Sequence, residues 1–153
     1  PHEVIDLLQT MSLRDRTAIW LMPVSMMGKE ADAAARYNID AIDIREKLIA
    51  TLPEDTRYLG LSYQKIISLL DEICCQSHYS ECILVYNFDL LIAKLSHQDR
   101  TNVWTHLFGS FPHRQHALLI AMPEEAYHLL PSTTSLKYWN DDRRIATVSS
   151  IDL

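Results

Sequence analysis

Thr17-Ala18-Ile19-Trp20-Leu21-Met22-Pro23-Val24-Ser25-Met26-Met27-Gly28-Lys29-Glu30 is the stretch whose reading decides the fold. Thr17 to Met22 is a continuous apolar run, too short for a buried helix and rich in strand formers, so it predicts a buried strand. Pro23 ends it, because proline supplies no ladder N–H. Beyond Gly28, Lys29-Glu30-Ala31-Asp32-Ala33-Ala34-Ala35-Arg36 is Ala-rich with acids at its start. That predicts a helix whose dipole those acids complement.

The same alternation continues outward. Val4 to Leu8 has the spacing of a short amphipathic helix, and Ile39 to Ile44 reads as a second strand. Arg45 to Leu52 predicts a short helix ended by Pro53, and Ser62 caps a longer one with apolar positions at Ile66, Ile67, Leu69, Leu70 and Ile73. Cys82-Ile83-Leu84-Val85-Tyr86 is the clearest buried strand. Leu90 to Leu95 and Thr101 to Phe108 read as helices, followed by a turn at Gly109-Ser110-Phe111-Pro112. His116 to Met122 predicts a further strand, Glu124 to Leu130 a short helix, and Arg144 to Val148 a last strand. Continuous apolar strands alternating with helices imply a mostly parallel sheet, covered on both faces, with right-handed crossovers. The expectation is one three-layer α/β domain over residues 1–153, with no internal repeat and no linker.

Composition agrees with a packed domain. Of 153 residues, 48% are apolar and 22% charged, with only three Gly and six Pro, which excludes disordered and collagen-like classes. No apolar run approaches the roughly 20 residues needed to span a bilayer, so no membrane partner is expected. Pro1-His2-Glu3-Val4-Ile5-Asp6 carries no basic segment or cleavage site, so no signal peptide is expected either. Three Cys without framework spacing fit a reducing, cytoplasmic setting. Asp and Glu outnumber Lys and Arg 20 to 14, giving a net charge of −6. Tight nucleic-acid binding depends on cations that neutralise phosphates, so direct binding by this chain alone is not expected.

Gly28-Lys29 at a helix start, after a first buried strand, is the setting of a phosphate-binding P-loop, G-x-x-x-x-G-K-[ST]. In that register the first Gly falls on Pro23 and the hydroxyl on Glu30. Proline fixes φ and lacks an N–H, so it cannot do what a permissive glycine does there. Glu30 replaces the Mg²⁺-ligating hydroxyl and places a carboxylate where a phosphate would lie. The nucleotide-site candidates, in degenerate form, are Ser25, Gly28, Lys29, Glu30 and Asp89. A Gly-Lys helix start with no phosphate role is the plain alternative. The acid that should end a buried strand and hold Mg²⁺ falls on Tyr86, a poor ligand for that ion at neutral pH. Asp89 is either a second acid orienting water or a cap on the helix that follows. With both metal ligands replaced, the β- and γ-phosphate charges would go unneutralised. No cofactor and no ATPase activity are expected, with ATP the ligand to test.

From Thr17 to Met122 the chain resembles the BrxF family of small P-loop proteins from type 3 BREX phage-defence systems. Gly28-Lys29, then Asn38-Ile39-Asp40 with Leu48, then Tyr86-Asn87-Phe88-Asp89 carry the resemblance, with Leu95-x-x-Gln98-Asp99 and Gly109-Ser110 further on. It implies a P-loop NTPase-like fold with a RecA/AAA-like core. It also implies a cytoplasmic role in antiviral defence, exercised through protein–protein contacts with other subunits of a defence complex. The departures at Pro23, Glu30 and Tyr86 make the chain look like a degenerate member. Two alternatives stay open. One is an atypical Mg²⁺-dependent ATP-binding NTPase, with Lys29 on phosphate, Glu30 on the metal and Asp89 orienting water. The other is a nucleotide-free RecA-like inhibitor, similar in mode to the cell-division inhibitor SulA. A homo-oligomer is compatible with each.

Other groupings carry less. Cys74, Cys75, His78 and Cys82 have zinc-type donors but no C-x₂₋₄-C spacing, and buried free thiols explain them more simply, so no metal is expected. His106, His113, His116 and His128 read as solvated or turn histidines. Arg100 and Arg114, near element ends, are candidates for contact in trans, with a surface ion pair as the ordinary alternative. Tyr138 and Trp139 lie in a polar segment, which predicts exposure and a partner interface.

Overall fold

A computed structural model describes residues 4–5, 17–52, 60–76, 82–109 and 116–148. Five strands form one sheet: β1 (Thr17–Met22), β2 (Asp40–Asp43), β3 (Cys82–Tyr86), β4 (Ala117–Pro123) and β5 (Ile145–Thr147). All pairings are parallel and the order is β2-β3-β4-β1-β5. The link from β1 to β2 is α1 (Glu30–Arg36). Next come α2 (Ile44–Ala50) and α3 (Tyr63–Cys75), then α4 (Phe88–Ile92) and α5 (His97–Gly109) after β3, and α6 (Thr133–Asp141) after β4.

The β1-to-β2 connection runs one way along the sheet and every later connection runs the other way. Right-handed crossovers therefore separate α1 from the remaining helices onto opposite faces. Packing follows that division. Ala33 and Ala34 of α1 join Ala18, Trp20, Leu84, Leu119 and Ala121 in one buried cluster. Ile19, Ile83, Val85, Leu118 and Ile120 point the other way, into a larger cluster with side chains of α2 to α6. Strand periodicity of two sends neighbours to opposite faces, so the unbroken apolar runs reflect burial on both sides.

Some elements differ from the sequence expectation. Residues 124–130 are turns, not a helix. Pro131 disfavours the helical region for Leu130 before it, and the indole Nε1 of Trp104 donates to the Leu129 carbonyl at 2.8 Å. Helix α5 begins four residues before Thr101, where the Ser96 hydroxyl accepts the Asp99 N–H at 3.1 Å. The polar segment after Pro131 forms α6, capped by the Ser132 hydroxyl, which accepts the Ser135 N–H at 3.2 Å. Of the early helix expected at Val4 to Leu8, only residues 4 and 5 are described, and both are helical.

Trp139 corrects the expectation of an exposed anchor: it is only 1% exposed. Its ring meets Phe108 and Trp104 edge-on, at centroid distances of 5.3 and 6.2 Å. Over its other surface lies the guanidinium of Arg144, 4.5 Å from the ring. Arg144 is equally buried and donates to three carbonyls: Nε to Thr17 (2.7 Å), Nη1 to Phe108 (2.9 Å) and Nη2 to Leu107 (3.1 Å). Those of Leu107 and Phe108 belong to the last turn of α5, which has no helical N–H to receive them. One side chain thus ties the end of α5, the start of β1 and the ring of Trp139.

Candidate functional site

In an open parallel sheet, ligands sit outside the carboxyl ends of the strands, where successive connections leave for opposite faces. Here that place lies between β1 and β4. Met22 and Pro123 face each other across it, and the Glu124 N–H closes it by donating to the Met22 carbonyl at 2.8 Å. Pro23 and Pro123 stand at the two strand ends, so neither offers an N–H to an anion.

The loop leaving β1 turns in on itself. Val24–Met26 is a single 3₁₀ turn. The Met26 N–H donates to Pro23 O (2.9 Å), Met27 N–H to Val24 O (3.1 Å) and Lys29 N–H to Met26 O (3.1 Å). A phosphate cradle needs such amides to converge on the ligand; these are spent within the loop. Gly28 has φ +87°, a conformation that favours glycine, but an added Cβ would meet nothing within 4 Å. The left-handed torsion is what calls for glycine here; no packing against the rest of the chain does. Ser25 and Lys29 are exposed. Lys29 occupies the position before α1 and makes no side-chain cap.

Glu30 opens α1 and is buried. Across the strand ends lie Tyr86, closing β3, and Asp89, in the first turn of α4. Burial pushes the Tyr86 phenol up from its ordinary value, and the charges of Asp43, Glu46 and Glu30 push it further. The phenol stays neutral, which suits it poorly to hold a cation. Burial also raises the Asp89 carboxyl, which its own and the Leu90 backbone N–H lower, while Glu30 raises it again. Asn87, not Asp89, holds the capping position of α4 and makes no side-chain cap, so Asp89 is an acid in the helix's first turn and the expected cap is not formed.

The structure thus brings Glu30, Tyr86 and Asp89 near one another, and adds two acids that sequence reasoning missed, Asp43 and Glu46, whose charges both act on Tyr86. Asp43 ends β2 beside Tyr86 in register and caps α2, with Oδ1 accepting from the amides of Arg45 (3.0 Å) and Glu46 (3.3 Å). Its Oδ2 accepts from the Asn87 amide at 2.9 Å. Asn87 adopts φ +62°, a left-handed turn that asparagine tolerates. The available signal was an acid directly before a helix at the end of a strand. Among the described residues no group of three or more His, Cys, Asp or Glu is arranged to hold a metal ion. Cys74, Cys75 and Cys82 form no disulfide.

Other candidates lie elsewhere. Arg100 is half-buried on α5, its Nη1 held by the Leu95 carbonyl at 2.6 Å. Tyr138 is 58% exposed on α6, while its neighbour Trp139 is withdrawn into the core and leaves the proposed interface. Arg114, His113 and His78 lie outside the described residues, as does the turn beyond Gly109. No helix among the described residues is long and apolar enough to cross a membrane. Neither a protein-family model, nor a curated protein, nor a solved structure matches the chain.

Proposed function

We propose that this chain is a non-catalytic cytoplasmic subunit of a bacterial phage-defence complex, acting through protein contacts on a RecA/AAA-like framework whose nucleotide site has been emptied. The observation that carries the loss of catalysis is the loop after β1. Its amides at Met26, Met27 and Lys29 bond to loop carbonyls, and a buried Glu30 stands at the head of α1. Polyphosphate would meet proline and carboxylate there instead of converging N–H groups. The strand order supports the framework, with β4 between the strand bearing the Gly-Lys loop and the strand ending at Tyr86. The defence setting rests on the resemblance to the BrxF family.

The same edge supports a contact surface. Val24 follows β1 and is 58% exposed; Leu90 follows β3 and is 42% exposed. Apolar side chains at a ligand-type edge that lacks ligand chemistry suit a protein partner.

Calorimetric titration with ATP and ADP, each with and without Mg²⁺, tests the emptied site. No heat at millimolar nucleotide is the expected result. Mg²⁺-dependent binding that disappears in Lys29→Ala would overturn the reading and make the chain an atypical NTPase.

A further inference from the structure

We propose that the cleft between the start of α5 and the start of α6 binds a small phosphate monoester that carries a flat ring. The cleft measures about 470 Å³ and is lined by Arg100, His97, His128, Ser132, Ser135 and Tyr127 among others. That volume lies within the roughly 300–1,000 Å³ of small-molecule sites. None of residues 23–30 lines it, so the proposal does not rest on the fate of the Gly-Lys loop.

The chemistry of the lining selects an anion. In a chain of net charge −6, no Asp or Glu borders this cleft. Its charged group is Arg100, which makes no ion pair with a carboxylate among the described residues. The Leu95 carbonyl holds one end of the guanidinium, while its Nε is buried with no hydrogen-bond partner. A guanidinium carries five donors in a planar fork that fits phosphate oxygens two at a time. Anchoring at Leu95 holds the fork in place before a ligand arrives, which lowers the ordering cost of binding. Opposite, the nine-residue α6 begins at the cleft through Ser132 and Ser135. Its dipole favours negative charge at that end.

The remaining lining selects a ring. Tyr127 is 77% exposed at the cleft, a large aromatic left in solvent. Trp104 forms part of the wall, its indole fixed by the bond to Leu129. A flat ring can stack against Tyr127 while its phosphate reaches Arg100. The site follows β4 and β3 in the chain, on the face away from α1.

Phenyl phosphate is the probe, with inorganic phosphate and phenol as controls, titrated into ¹⁵N-labelled protein. Phenyl phosphate is expected to move the amide resonances of residues 97–105 and 127–135, inorganic phosphate to move the same set more weakly, and phenol to move few. Arg100→Gln should weaken binding about 10-fold or more, as loss of a charged hydrogen bond predicts. Because that change could loosen the start of α5, Tyr127→Ala is the second variant. It should lower affinity for phenyl phosphate while leaving that for inorganic phosphate unchanged. No shifts at millimolar phenyl phosphate, shifts confined to residues 23–30, or unaltered affinity in Arg100→Gln would each overturn the proposal. So would binding of a phosphotyrosyl peptide where phenyl phosphate itself does not bind.

Discussion

Replacing Arg144 should cost more stability than any other single polar substitution in the described structure. Arg144→Met keeps an apolar stem against Trp139 and Phe108 but removes donors at 2.7, 2.9 and 3.1 Å from three carbonyls. A hydrogen bond to a charged group contributes about 1.5–3 kcal/mol, and three on one side chain do not simply add. Part of the loss is offset because a guanidinium no longer has to be buried. Breaking a buried charged network typically costs ~3–5 kcal/mol. Folded domains have about 5–15 kcal/mol in total, so this is a large share. At about 2–4 °C per kcal/mol for a chain of this length, the midpoint should fall by ~6–20 °C. Arg144→Lys keeps the charge but cannot span carbonyls on α5 and β1 with a single ammonium, so it should recover less than half. Circular-dichroism melts and urea titrations measure both variants. A loss below ~1 kcal/mol in Arg144→Met would refute the reasoning, because it would mean the carbonyls of Thr17, Leu107 and Phe108 find other donors at little cost. The contact from Arg144 to Asp142 is 3.6 Å long and Asp142 is 58% exposed, so this ion pair adds little to stability.

Other substitutions test the remaining assignments. Trp139→Ala should destabilise by ~3–5 kcal/mol while Tyr138→Ala stays within about 0.5 kcal/mol; equal effects in chemical denaturation would contradict the burial difference. Asp43→Ala removes the α2 cap and the Asn87 partner together and should cost ~1–2 kcal/mol, with Asp43→Asn recovering part of it by the same measurement. The Asp89 carboxyl sits above its ordinary value when folded, chiefly through burial. The folded state therefore holds its proton to higher pH than the unfolded state does. The resulting penalty is absent below the ordinary carboxylate value and grows as pH rises through the raised one. Asp89→Asn should accordingly gain stability relative to the parent across that window, and a flat or falling difference between the two pH profiles would dismiss the assignment.

The candidate site was partly legible because it depends on residue identity at fixed places in the chain. Pro23 and Glu30 interrupt a P-loop pattern, and Tyr86 ends a strand where an acid would be needed; each has its consequence whatever surrounds it. The partnership of Asp43 with Asn87 was not legible, since 44 residues separate them and only the pairing of β2 with β3 brings their ends together. The closed loop after β1 was hidden for another reason. Whether an amide faces a ligand or its own loop is a matter of backbone torsion, which Val24, Ser25 and Met26 do not specify by type.

The sequence by itself determined the layered α/β architecture. Unbroken apolar runs such as Cys82 to Val85, alternating with helical patterns, fit strands buried on both faces, and prolines at 23 and 123 mark where two of them stop. Tertiary structure alone decided the rest. The segment of α6 is polar on average and buries only Trp139, so it looked like a polar surface segment although Leu136 and Trp139 share one helix face. Arg144 looked like the polar start of a last strand. Its burial depends on carbonyls 36, 37 and 127 residues away, and a charge is drawn inside only where folding has already gathered acceptors for it.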